Sequence, residues 1–170
     1  MTEPPASSSP TLNGPVVVGV MPGQRPAVVE QAARLAASAG LALVFAYTDV
    51  TVYPVDGTLG GPAAPIDPDG VDDVAAGFPE SLADDLRRQL APFGVPWSTV
   101  LLAGEPAHAL AREAANVGAS MIVVGTRGHR LSATLKDLAG SVARQLLRRQ
   151  DRPVLVVPVD SRGADRHDEH

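Results

Sequence analysis

Two periodicities alternate along the chain. Val16 to Val20 is a short, continuously apolar run, the pattern of a strand buried on both faces. Behind Pro26, the residues Val28, Val29, Ala32, Ala33, Leu35, Ala36 and Ala39 recur at helical spacing, and Gly40 supplies the stop. Leu41 to Tyr47 reads as a second strand. Leu82, Leu86, Leu90 and Phe93 make the next helical stripe behind Pro79, ended by Gly94 and Pro96. Trp97 to Leu102 is a third strand. Pro106 opens a helix with the stripe Ala107, Leu110, Ala111, Ala114 and Val117, which Gly118 closes, and Met121 to Val124 follows as the fourth strand. Ser141 caps a last helix with Val142, Leu146 and Leu147 inward and Arg144, Arg148 and Arg149 outward, before a fifth strand from Val154 to Val159. Five strands alternating with four helices predict an α/β protein, an open five-stranded parallel sheet with helices on both faces and right-handed crossovers.

The rest of the chain sets the boundaries. Residues 1–15, MTEPPASSSPTLNGP, have too little apolar surface to offset the entropy of ordering and read as a tail. The single domain spans 16–159, with a long loop at 48–78 full of Gly, Pro and Asp. Loops of that length inside a compact domain are usually functional, mobile or both. Residues 160–170 form a polar C-terminal tail, in which His167, Asp168, Glu169 and His170 read as solvated side chains rather than metal ligands.

Composition narrows the function. With 170 residues there is room for one core, and aromatic residues at 4% leave no platform for stacking bases. A net charge of −5 gives no basic footprint for nucleic acid or an anionic membrane, so neither is expected as a partner. The chain has no cysteine, which excludes disulfides and thiol chemistry. It starts without the charged-then-apolar pattern of a signal peptide, and no apolar run approaches the about 20 residues of a membrane span. A cytoplasmic location is expected.

Candidate chemistry gathers at the ends of strands one and four. A doubly wound parallel sheet reverses its winding between two strands, and the crevice beyond that switch point is where ligands bind. The loops there read Met21-Pro22-Gly23-Gln24 and Gly125-Thr126-Arg127-Gly128. Two glycines three apart let a backbone approach a ligand and aim its N–H groups at it, and the helix start at Gly140-Ser141-Val142 adds unpaired donors that attract phosphate. An ordinary turn followed by an N-cap has the same residues. No GxxxxGK[ST] phosphate loop and no nucleophile triad can be assembled, and Asp84 and Asp85 belong to the solvent face of a helix, so no enzyme activity is expected beyond weak nucleotide hydrolysis. His108 and His129 lie near these loops and read as surface histidines.

The segment from Ala103 to Val159, with GEPAHALAREAANVGASMIVVGTRGH and LAGSVARQLLRRQDRPVLVVPV, resembles the C-terminal half of universal stress proteins. That family's nucleotide motif is Gly, two residues, Gly, nine residues, Gly, then Ser or Thr, and Gly125, Gly128, Gly140 and Ser141 match its fixed members in order. The resemblance implies a Rossmann-like sheet of strand order 3-2-1-4-5, homodimers through the last strand (Val154–Val159), and ATP or a related adenine nucleotide as ligand. Magnesium would enter only with the nucleotide. Phosphates would lie on Gly128, Gly140, Ser141 and Val142, with Thr126 in the same loop and Arg127 adding charge. The nucleoside end would lie near Gly125, Ala46 and Met21. Two departures stand out. Met21 occupies the place of an aspartate that contacts the nucleoside in ATP-binding members, and eleven residues, His129 to Ala139, separate Gly128 from Gly140. The function implied is a weakly nucleotide-binding dimeric stress regulator. Its rival is a dimeric interaction module of the same fold that has lost the nucleotide.

Overall fold

The computed structural model describes residues 12–50, 77–126 and 142–159, together with the backbone of 52–54 and 63–65. The valines of the first strand, β1 (Val16–Val20), are buried on both faces, so this strand lies at the centre of the sheet. Around it come α1 (Ala27–Ala39), β2 (Leu43–Asp49), β3 (Val52–Pro54), β4 (Ala63–Pro65), α2 (Glu80–Leu90), β5 (Trp97–Ala103), α3 (Pro106–Asn116), β6 (Met121–Gly125), α4 (142–149) and β7 (Val154–Val157). The main sheet has the order β5-β2-β1-β6-β7 with every pair parallel. Counted without the short β3–β4 pair, this is the expected 3-2-1-4-5, with the winding reversed between β1 and β6.

The alternation of β1 divides the core. Val16, Val18 and Val20 face α1 and α2, where Leu43, Phe45, Leu82, Leu86 and Leu90 join them. Val17 faces the other way, toward α3 and α4, with Ala46, Leu110, Ala114, Ile122 and Leu146. Phe45 carries the largest buried side chain and meets Trp97 edge to face at 6.1 Å. Gly14 exchanges two hydrogen bonds with Ser120, N–H to Oγ at 2.9 Å and Oγ–H to C=O at 2.7 Å, so the chain docks on the domain two residues ahead of the expected start.

Several boundaries differ from the expectation. Leu41 donates its N–H to Ala36 O and so completes the end of α1, and β2 starts at Leu43. β2 continues to Asp49 because Thr48 and Asp49 pair with Leu102 and Ala103 of β5. Within the stretch read as one long loop, β3 and β4 pair antiparallel, each ending or starting where a proline limits the ladder. β7 ends at Val157, since Pro158 cannot donate to a ladder, and the N–H of Val159 is taken by Thr126 Oγ1 at 2.8 Å. Leu147, expected inward, is 66% exposed; Ala143 and Leu146 form the inner edge of α4, one turn apart, and Leu147 lies past it. Ala39 is exposed at the last position of α1. Asp84 and Asp85 do sit on the outer side of α2, paired with Arg87 and Arg88.

Candidate functional site

The switch point is built by the turn after β1 and the end of β6. Register sets Val18 opposite Val123, which brings the two strand ends side by side. The turn Met21-Pro22-Gly23-Gln24 is closed by the Gln24 N–H donating to Met21 O at 3.2 Å. Gly23 has φ of 72°, a left-handed conformation that a residue with a side chain rarely adopts, and Pro22 precedes it, the residue order of a type II turn. Gln24 then folds back: its Oε1 accepts from the Met21 N–H at 3.0 Å. The turn is thus satisfied by its own residues. Met21 itself is 37% exposed, so its side chain reaches solvent.

Across the crevice, Gly125 is closely packed. A β-carbon there would lie 2.7 Å from Val28 Cγ2, 3.3 Å from Gln24 Nε2 and 3.3 Å from Val159 Cγ2. The missing side chain therefore lets α1, the β1 turn and the end of the last strand converge on β6. Thr126 is held in the same way. Its N–H donates to Val157 O at 2.9 Å and its hydroxyl accepts from Val159 N, so both groups extend the β6–β7 pairing. Ala46 lies mid-strand, paired with Gly19 on one side and Val100 on the other, and its side chain is buried in the α3–α4 core. Val142 begins α4, half-buried against that same core. Arg127, Gly128, Gly140 and Ser141, and with them His129, lie outside the described residues.

The structure therefore brings together Met21, Gly125 and Thr126, and places Ala46 and Val142 deeper in the domain. Gln24 was named in the sequence only as part of this loop, with no role of its own. Its signal was its place at the fourth position of a Pro-Gly turn, from which a carboxamide reaches the first residue's N–H. Beside this turn, Met21, Gly23, Gln24, Asp85 and Gln89 line a cavity of about 20 Å³, the size of one water molecule. His108 is an exposed residue in the first turn of α3, whose N–H accepts no ligand role: it donates to Glu105 Oε2 at 2.9 Å as part of the helix cap. No helix among the described residues is long and apolar enough to cross a membrane.

Sheet order and switch point define an α/β protein of the Rossmann-like class. Within that class the chain belongs to the universal stress protein family, whose model matches residues 13–158. Universal stress protein YxiE of Bacillus subtilis (strain 168) is 34% identical over 76 residues, which cover 45% of this chain and 50% of that protein. The chain thus spans about half the length of this curated relative. Among solved structures, a universal stress protein from Archaeoglobus fulgidus aligns with a TM-score of 0.60 and 21% identity, over 85% of this chain and 98% of that one. A universal stress protein in complex with cAMP aligns with a TM-score of 0.56 and 24% identity, over 85% and 95% of the two chains.

Proposed function

We propose that the protein binds an adenine nucleotide, ATP-like and weakly, at the β1/β6 crevice, and acts as a dimeric stress-response regulator in the cytoplasm. The observation that carries this reading is the meeting of the Met21–Gln24 turn with the end of β6, at the point from which the family's glycine motif departs. A family member of similar fold holds cAMP. In the family's motif the backbone holds phosphate, and Gly128, Gly140 and Ser141, outside the described residues, would take that part here, while a thioether at position 21 supplies no strong acceptor for the nucleoside. Affinity without selectivity is the result, and binding rather than turnover is the activity.

Calorimetry with ATP, ADP, AMP and cAMP tests this. The natural protein is expected to bind with micromolar or weaker affinity. Met21→Asp restores an acceptor at an exposed position and should tighten ATP about tenfold, equivalent to about 1.4 kcal/mol and in the range of one charge-assisted hydrogen bond. Gly140→Val should abolish binding by blocking the approach to the backbone. If neither the natural protein nor Met21→Asp binds any of the four, the nucleotide reading fails. The interaction-module alternative then stands, favoured by two observations: Gln24 already occupies the Met21 N–H, and Val28, Gln24 and Val159 crowd the face of Gly125.

The dimer rests on β7. It is a sheet edge, and Leu155 and Val156 on it are 39% and 38% exposed. An apolar edge with open ladder groups is stabilised by pairing with a second copy. Val156→Lys is expected to convert a dimer into a monomer in sedimentation at micromolar concentration. A natural protein already monomeric there refutes the dimer.

A further inference from the structure

We propose that the groove between α3 and α4 is a second ligand site, for a small organic molecule carrying a phosphate group. This proposal is independent of the nucleotide crevice. The groove has a volume of about 700 Å³, within the range of small-molecule sites. His108 and Arg112 line it from α3, and Arg149 and Arg152 from the end of α4 and the turn into β7, with Asp151 the one acid among the described residues of its wall. On a chain of net charge −5, this is a local reversal of sign.

Arg149 and Arg152 have partners before any ligand arrives. Arg149 Nη1 lies 3.5 Å from His108 Nδ1, so the guanidinium is drawn across the groove toward α3. A guanidinium only donates, and in this contact the imidazole nitrogen is the acceptor. Arg152 donates from Nε to Ala119 O at 2.9 Å, which fixes its stem. Side chains ordered by the protein cost less to engage, and the planar guanidinium fork matches phosphate oxygens in pairs. The groove is far larger than a phosphate ion, and Ala111 and Ala115 give it small apolar side chains between the cations. Such a surface suits the carbon skeleton of a phosphorylated metabolite.

The test is a nitrogen-15 NMR titration of the full chain in 100 mM KCl with glucose 6-phosphate, inorganic phosphate and glucose as probes. The expected result is saturable shifts confined to residues 107–115 and 148–152 with glucose 6-phosphate, weaker ones with phosphate, and none with glucose. Arg149→Gln should weaken the sugar phosphate at least tenfold, whereas Arg144→Gln, on the exposed side of α4 outside the groove, should leave it unchanged. Absence of saturable shifts, equal weakening by both variants, phosphate binding as tightly as the sugar phosphate, or shifts centred on the Met21–Gln24 turn would each overturn the proposal.

Discussion

Phe45→Ala is expected to lower the unfolding free energy by about 3–5 kcal/mol, the cost of removing a fully buried aromatic side chain and leaving a cavity. Phe45 is completely buried in β2, in the same core as Leu43 and Leu86 of α2, with its ring set against Trp97. The other buried residues of that core are valine, leucine and alanine, with Tyr47, Phe78, Phe93, Trp97 and Met121 packed partly buried against them. Filling the gap would require one of these to leave its own packing, so relaxation recovers only part of the loss. In urea denaturation the midpoint should fall with the slope unchanged. A loss below about 1 kcal/mol would mean that α2 collapses onto β2, against the rigid packing expected of such a core.

Gly125→Ala is expected to destabilise the ligand-free protein by about 1–3 kcal/mol, the range for overpacking a filled site. The added methyl would sit 2.7 Å from Val28 Cγ2, on the first turn of α1, while Gln24 and Val159 close the other sides. Relief requires α1 or the end of β6 to move, and Thr126 next to it is fixed by two hydrogen bonds to the last strand. The measurement is denaturation without nucleotide. Unchanged stability would return Gly125 to the role read from the sequence, a gap left for a ligand to approach.

That contrast shows what the chain's pattern reveals and what it hides. Continuous valine runs and helical stripes carry the alternation of strands and helices, and with it the parallel sheet, whereas the order 3-2-1-4-5 came from the resemblance to universal stress proteins. Boundaries slipped where a backbone hydrogen bond decided them: Leu41 was apolar enough for a strand, but its N–H belongs to Ala36. Leu147 slipped because one helical position separates the inner edge of α4 from solvent. At the site, glycine is ambiguous by nature. The same absence of a side chain admits a phosphate or a neighbouring helix, and at Gly125 the neighbour is Val28. Gln24 was named without a role because that role depends on a turn closing first, which periodicity does not encode. The β3–β4 pairing was hidden for a related reason, since three-residue strands are too short to establish a period.

The strand at the middle of the sheet is the first one to leave the ribosome. One side of β1 pairs at once with β2, but the other waits for β6, and Gly14 waits for Ser120, 106 residues later in the chain. At a synthesis rate of about 5–20 residues per second, that interval is roughly 5–20 s. Throughout it the nascent chain carries an open valine-rich edge, a template for wrong pairing and a binding surface for chaperones. A chain whose translation stalls before Met121 keeps that edge permanently, so interrupted synthesis of this protein yields an aggregation-prone fragment rather than a smaller working domain.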